Sequence, residues 1–493
     1  MVRLLANHKY LDEAGNIVRI FFPGVKIVTD ADINKMIHRE GVANCRPYCV
    51  DAEKGGDFEY TVISELGDTE AFAEVNSGEG VLASYSWPFY KTDGFLTKSR
   101  MLMLSLFFAL QSVKPTGAPW GALTGIRPTK LVRQWLDMGV GENEAEGFLQ
   151  NPYQVTKEKA ELAIMVAKAE NRIKDLIFSC GEKTAGFYIN IPFCASRCLY
   201  CSFTCMEKPP SEGFMEEYVN VLVDEIGKKL EEVQQGGFSV SSIYIGGGTP
   251  TFLPQGHLHK ILKSLEGILY DGLEFTVEGG RPDSVTEDKL RLFKENGVTR
   301  FSVNPQTLND DTLQRIGRWH TAKDFFKAYA LAKKIGFLCI SSDIIAGLPG
   351  EGVCDVEKTL KGLIRLAPEN ITVHNLAIKR ASKLKTVQKS MYEEASMQHT
   401  RDMVYLAQKS LVESGYTPYY LYRQKDMLGL GENVGYSRDG FWCLYNIGMM
   451  SEVQTVFGAG AGAVTKYVVG DKITRKFNIK NPEHYVKQAR HCV

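Results

Sequence analysis

Three cysteines fall within one short run, Tyr188-Ile-Asn-Ile-Pro-Phe-Cys194-Ala-Ser-Arg-Cys198-Leu-Tyr-Cys201, with Cys-x3-Cys-x2-Cys spacing. A loop of that length can turn three thiolates toward one small object. Thiolate sulfur is a soft donor, suited to zinc or to iron–sulfur clusters. Three thiolates on a 4Fe–4S cluster leave one iron without a protein ligand and open to a cosubstrate. Zinc is the alternative, but it ordinarily takes four ligands built on closely spaced Cys pairs. Cys205 could complete such a set; we read it as a non-ligand, and Cys194, Cys198 and Cys201 as the metal ligands.

Other residues of chemical interest follow at intervals. Tyr244-Ile-Gly246-Gly247-Gly248-Thr249-Pro250 lets backbone approach a ligand closely, although a triple glycine can equally be a tight turn. Glu278 could bind ribose hydroxyls or a cation, with a surface ion pair as the plain alternative. Gln306 and Arg318 are twelve residues apart, and an arginine forks onto carboxylates. Asp343 lies in an otherwise apolar run, where an acid is costly unless paired. His320 and His374 are candidates for substrate contact or proton transfer, against a structural role. Gly458-Ala-Gly460-Ala-Gly462-Ala-Val464 superficially matches a dinucleotide loop, but no strand–helix unit and distal acid follow, so a tight cap over a barrel mouth fits better.

The elements that must carry these residues alternate. Strand-like runs at Gly186–Ile191, Ser242–Ile245, Glu274–Glu278, Arg300–Asn304, Leu338–Ile345 and Asn370–Ile378 are separated by helical patterns at 214–234, 256–268, 284–296, 321–335 and 355–366. The first of these helices places Phe214, Tyr218, Val221, Leu222, Ile226 and Leu230 on one stripe. Such alternation implies parallel strands with right-handed crossovers, hence a full or partial (β/α) barrel. Barrel chemistry sits at the C-terminal ends of the strands, where the polar and glycine-rich signals fall.

The 493 residues allow two to four domains at roughly 150 residues each. We expect an N-terminal α/β accessory domain over 1–178, the barrel over 179–385 and an α+β cap over 386–493. The first is predicted to hold strands at Ile17–Phe22 and Phe58–Ile63, a buried helix at Met101–Gln111 and a helix at Thr156–Ile177. The last opens with a helix at Lys389–Ser414 and a strand at Tyr416–Tyr422. Lys plus Arg (58) balance Asp plus Glu (58), so no bulk field favours nucleic acid or an anionic membrane. The N-terminus lacks the apolar core of a signal peptide, and no apolar run approaches the ~20 residues of a membrane span. Eleven cysteines in such a chain favour reduced thiols in a cytoplasmic protein, with a monomer as the favoured state.

The Cys-x3-Cys-x2-Cys loop resembles that of the radical S-adenosylmethionine (SAM) superfamily. Together with Gly246-Gly-Gly-Thr-Pro-Thr-Phe-Leu253, Pro305-Gln-Thr-Leu-Asn309 and Asp343-Ile-Ile-Ala-Gly-Leu-Pro349 it resembles the oxygen-independent coproporphyrinogen III oxidase family. Pro119-Trp-Gly-Ala-Leu-Thr-Gly-Ile-Arg-Pro-Thr129, Val373-His-Asn-Leu-Ala-Ile-Lys-Arg380, Tyr419-Tyr-Leu-Tyr-Arg423 and Glu432-Asn-Val-Gly-Tyr436 are similar to its HemZ-type coproporphyrinogen dehydrogenase branch. Asn190 departs from the His found in the best-known members.

The resemblance implies a partial (β/α)6 TIM-like radical SAM barrel. It implies a 4Fe–4S cluster with one open iron, and SAM held by Tyr188, Tyr200, Gly247, Gly248, Thr249, Glu278, Gln306, Arg318, Asp343 and Val464. Tyr188, Glu278 and His374 would be catalytic. The implied reaction is oxidative decarboxylation of two propionates of coproporphyrinogen III to vinyls, giving protoporphyrinogen IX in anaerobic haem biosynthesis. Arg127, Lys379, Arg380 and Arg423 are candidates for binding the tetrapyrrole's carboxylates, and a flavodoxin- or ferredoxin-type protein would donate electrons. Related branches open the haem ring, transfer methyl groups or act as haem chaperones, and these are the alternatives.

Overall fold

The computed structural model describes residues 1–29, 58–89, 96–125, 127–203, 205–206, 210–379, 381–386, 394–470 and 472–491. Two compact units are present, Met1–Gly125 with Gly141–Glu161, and Ile126–Val140 with Leu162–Val493. The division falls inside the helix Lys157–Phe178.

The first unit holds a five-stranded sheet in the order β2-β1-β3-β4-β5, where β1 is Val2–Ala6, β2 Ile27–Thr29, β3 Tyr60–Leu66, β4 Glu70–Ser77 and β5 Gly80–Pro88. Strand β1 is parallel to both neighbours, and β3, β4 and β5 pair antiparallel. The strand expected at Ile17–Phe22 is instead the end of a helix, Leu11–Phe21. Ala14, Ile17, Val18, Ile20 and Phe21 are its buried side chains, with Ala14, Ile17, Val18 and Phe21 at the three-and-four spacing of a helix, and Asp12 and Glu13 suit its first turn. The apolar helix expected at Met101–Gln111 runs Lys98–Val113 against β4 and β5. Thr97 caps it by accepting from Arg100 N, a bond of the kind that stabilises a helix start by about 1 kcal/mol.

The second unit is built on an eleven-stranded sheet. Its centre is six strands, β6 (Thr184–Ile191), β7 (Ser239–Gly247), β8 (Glu274–Glu278), β9 (Arg300–Ser302), β10 (Cys339–Ala346) and β11 (Asn370–Asn375). They lie side by side in chain order, every pair parallel. Helices Glu212–Gln235, Gln255–Lys263, Glu287–Glu295, Ala322–Ile335 and Val353–Leu366 make the returns. This is the expected partial (β/α)6 barrel. Its strands are buried almost end to end, with Phe187, Phe275 and Phe301 fully so, as helix-covered parallel strands should be. Helix Glu212–Gln235 buries Met215, Tyr218, Val219, Leu222, Ile226 and Val233; Phe214, Val221 and Leu230 of the expected stripe are only half-buried, because the buried face is rotated slightly around the helix.

The C-terminal residues extend this sheet at both edges. Strands β12 (Thr417–Tyr422) and β13 (Asn433–Ser437) attach antiparallel beyond β11. Strand β14 (Thr455–Ala459) runs parallel to β6, followed by antiparallel β15 (Val464–Val469) and β16 (Lys472–Phe477). The helix expected at Lys389–Ser414 is described from Glu394 to Glu413; 389–393 lie outside the described residues. Among the described residues no helix is long and apolar enough to cross a membrane.

Candidate active site

A cavity of about 560 Å³ opens at the C-terminal ends of the barrel strands. Cys194, Cys198 and Cys201 line it together. Strand β6 delivers their loop, and several bonds hold it. Leu199 N donates to Ile316 O (3.0 Å), Ser196 Oγ to Gly317 O (3.1 Å), and Arg281 Nη1 to Ser196 Oγ (2.7 Å). Thr249 N donates to Phe193 O (2.8 Å), tying the glycine segment after β7 to the thiol loop.

The glycines are required by this approach. A Cβ on Gly248 would meet Phe193 O at 2.6 Å, Ile191 O at 2.9 Å and Cys194 Sγ at 3.0 Å. Gly247 has φ +108°, which L side chains rarely adopt, and a Cβ there would meet Asn190 Oδ1 at 2.0 Å. Asn190 also accepts from the Tyr188 hydroxyl (3.0 Å) and donates through Nδ2 to Ala461 O, fastening β6 to the turn after β14.

Cys205 lines the same cavity, near enough to Cys194 and Cys201 to perturb both thiols. The contact with Cys205 holds the Cys194 thiol below its ordinary range and raises that of Cys201, while Cys205 itself is pushed up to about 11, chiefly by Cys194. No group of three or more His, Cys, Asp or Glu side chains among the described residues is drawn together tightly enough to hold a metal ion. A cluster spreads its ligands around several irons rather than one ion, and soft sulfur donors on one loop lining a cavity where Gly248 leaves no side chain in the way suit an iron–sulfur cluster.

Beside the thiols, Tyr188, Tyr200, Gly247, Gly248, Thr249, Glu278, Gln306, Arg318, Asp343, His374 and Val464 all line the cavity. Glu278 Oε1 accepts from the Tyr244 hydroxyl at 2.5 Å. Burial pushes the Glu278 carboxyl up to about 7, with nearby Asp343 adding to the rise and the bonds from Tyr244 and Gly247 N opposing it. His374 Nε2 and Asp343 Oδ2 are 3.7 Å apart on neighbouring strands. Gln306 has φ +67°, a strained backbone for a non-glycine residue, and its buried Oε1 has no partner. An orphaned acceptor in a polar cavity suits the ammonium or hydroxyls of SAM.

Arg318, expected to fork onto a carboxylate, lines the cavity with most of its donors engaged by the protein. Its Nη2 donates to Gly280 O and Asn304 O (both 2.8 Å) and its Nη1 to the Tyr200 hydroxyl (3.2 Å). The guanidinium fork is thereby occupied with the barrel's own loops, and Nε is the buried donor left without a partner. His320 is buried but does not line the cavity, and burial lowers its imidazole to about 3.

The four basic candidates separate. Lys379 lines the cavity, and burial lowers its ammonium. Arg423 does not: it is turned into the protein, donating to Gly431 O (3.2 Å) and Leu430 O (3.0 Å), because the carbonyls of that turn need a donor. Arg127 also lies off the cavity and pairs with Glu452. Arg380 lies outside the described residues.

Sequence reasoning missed the aromatic wall. Tyr188, Tyr244 and Tyr445 stack on one another, with Tyr244 and Tyr445 centroids 4.5 Å apart, and Tyr419, Tyr420 and Tyr422 line the cavity too. Tyr244 and Tyr188 share the inward parity of their strands, which was the available signal. Tyr445 comes from helix Leu444–Met450 and gave none. The Gly458–Val464 run is the end of β14, the turn after it and the first residue of β15, with Gly462 and Val464 on the cavity.

The Radical SAM superfamily family model matches residues 188–363. The oxygen-independent coproporphyrinogen-III oxidase-like protein HemZ of Bacillus subtilis is 37% identical over 377 residues, 76% of this chain and 75% of HemZ. The heme chaperone HemW of the same organism is 31% identical, covering 61% of this chain and 74% of HemW. Among solved structures, the radical SAM coproporphyrinogen III oxidase HemN of Escherichia coli is similar in fold, with TM-score 0.50 at 21% identity over 65% of this chain and 72% of HemN.

Proposed function

The chain belongs to the oxygen-independent coproporphyrinogen III oxidase-like family of radical SAM proteins, and from that premise we propose that it is a coproporphyrinogen dehydrogenase. The reaction would convert two propionates of coproporphyrinogen III to vinyls. The observation that carries this reading is the meeting, in one cavity, of the three-thiol loop, the Glu278–Gln306 cradle, a tyrosine wall and the cation Lys379.

Cys194, Cys198 and Cys201 would hold the cluster, and Tyr200, Gly247, Gly248, Thr249, Glu278, Gln306, Asp343 and Val464 would surround SAM. Bound there, the pair supplies one-electron cleavage of a sulfonium C–S bond and, through it, hydrogen-atom abstraction. The chain's own residues do the rest. Gly247 and Gly248 bring backbone against the cosubstrate; Glu278, oriented by Tyr244, accepts hydrogen bonds from its hydroxyls. Arg318 fixes the loops ending β8 and β9. Tyr188, Tyr244 and Tyr445 present flat faces to a macrocycle and exclude water. Lys379 pairs with a propionate carboxylate. Each propionate would lose a hydrogen atom from the carbon β to its carboxylate, then CO2 and one electron, the electron passing to an external one-electron acceptor. A small flavodoxin- or ferredoxin-type protein is the proposed electron source.

Anaerobic turnover with reductant, SAM and coproporphyrinogen III, followed by mass spectrometry, tests this. The expected product has lost two CO2. Formation of 5′-deoxyadenosine without decarboxylated product points to another tetrapyrrole. Similarity to the heme chaperone HemW supports a second reading, haem binding without turnover. Stoichiometric haem uptake with no decarboxylation would decide for it.

A further inference from the structure

One wall of the cavity is a single short helix, Leu444–Met450, whose Tyr445, Asn446, Met449 and Met450 line the space. Seven residues do not make a helix that is stable by itself. Buried charges hold both of its ends. At the start, Glu274 at the foot of β8 accepts from Leu444 N (2.7 Å) and Tyr445 N (2.9 Å), and Arg300 at the foot of β9 faces the same carboxylate at 3.8 Å. At the end, Lys466 of β15 donates to Gly448 O (3.3 Å) and Met449 O (2.9 Å). Arg127 Nη1 takes the next carbonyl, Met450 O, at 2.9 Å. Lys466 is 3% exposed, so its ammonium has little access to water and depends on these carbonyls.

The exit from the helix is strained and pinned. Glu452 has φ +52°, where glycine is the usual residue, and its carboxylate is held between Arg127 and Arg475. Cations at the last carbonyls and an anion at the first amides complement the helix dipole from both sides. Arg127 belongs to the Pro119–Thr129 run, for which the radical chemistry leaves no role.

We propose that Arg127 and Lys466 are positioning residues for the tetrapyrrole: they lock the last turn of helix Leu444–Met450 and thereby set the place of the Tyr445–Met449 wall against the macrocycle. This rests on the coproporphyrinogen reading for the identity of what the wall meets. The thiol loop and the glycine segment after β7 are held by bonds of their own, and the two cations reach that side only through the stacking of Tyr445 on Tyr188 and Tyr244.

The test uses the full chain and its Arg127→Ala, Arg127→Lys and Lys466→Met variants. Amide hydrogen exchange over 444–451 is measured by mass spectrometry, and the dissociation constants of coproporphyrin III (by its fluorescence) and of SAM are measured separately. Arg127→Ala and Lys466→Met should speed exchange in that segment by roughly tenfold or more. They should weaken coproporphyrin III by roughly fivefold or more and leave SAM within about twofold. Arg127→Lys, which keeps one donor and the charge, should recover part of both effects. Wild-type exchange in the alanine and methionine variants overturns the proposal, as does an equal loss of porphyrin and SAM affinity. A wild type that binds no coproporphyrin III overturns the substrate reading instead, and the lock is then judged by exchange alone.

Discussion

The Tyr244 hydroxyl donates to Glu278 Oε1 at 2.5 Å, joining two adjacent barrel strands across the floor of the proposed SAM site. A buried carboxyl pushed up to about 7 is close to half-ionised at neutral pH. Only the ionised form offers both oxygens as acceptors. SAM affinity should therefore rise by roughly three- to tenfold between pH 6 and pH 8, and Glu278→Gln should flatten that dependence. Calorimetric titration at three pH values measures it, and a pH-independent wild type would contradict the role assigned to Glu278.

The same group has a stability signature. Its native-state pKa lies above the ordinary carboxylate value, so the native state holds the proton while the unfolded chain loses it. The contribution to stability is complete below the unfolded value and is lost as pH rises toward 7. Glu278→Gln, which cannot ionise, should melt higher than wild type at pH 8, with the gap closing by pH 5. Paired thermal scans of the cluster-free proteins check the sign.

Cys198→Ser should abolish iron and sulfide uptake and the visible absorption of the reconstituted protein. Cys205→Ser should retain them, despite the contact of this thiol with Cys194 and Cys201. Iron and labile sulfide analysis separates the two. Loss of the cluster in both variants would make Cys205 part of the ligand set.

Gly248→Ala forces a methyl group against Phe193 O, Ile191 O and Cys194 Sγ, two of them backbone atoms that cannot swing away. Overpacking of this kind costs about 1–3 kcal/mol, and the displaced segment carries both a thiol and the SAM cradle. Cluster content, SAM affinity and melting temperature should all fall. A variant with wild-type cluster and affinity would show that the loop can yield.

Lys379→Met and Arg423→Ala should diverge. The first should raise KM for coproporphyrinogen by roughly tenfold, the value of one well-placed charge, and leave stability and SAM binding near wild type. The second removes a buried donor to Gly431 O and Leu430 O, and should lower stability by about 1–3 kcal/mol per carbonyl left unpaired. Denaturation and steady-state kinetics on both variants distinguish them.

How much was readable in advance follows from which forces are local. The barrel strands were found because parallel strands under helices are continuous apolar runs with turn residues between them. The cysteine loop was found because three thiols at fixed spacing have few other uses. Ile17–Phe22 misled because the apolar end of an amphipathic helix looks like a strand when the window is short. Arg127 and Arg423 misled for a different reason. A cation near a presumed mouth says nothing about which carbonyls lack donors, and here those of Met450 and of the turn at Leu430–Gly431 claimed them. The tyrosine wall escaped because Tyr445 reaches the cavity from a helix more than two hundred residues beyond Tyr188 and Tyr244.

Both borders of the six-strand barrel are closed by strands that follow residue 416, β12 and β13 on one side and β14 to β16 on the other. During synthesis the thiol loop is thus made long before its enclosure. A nascent chain reaching only helix Glu394–Glu413 would display Cys194, Cys198 and Cys201 in an unwalled trough with two raw sheet margins.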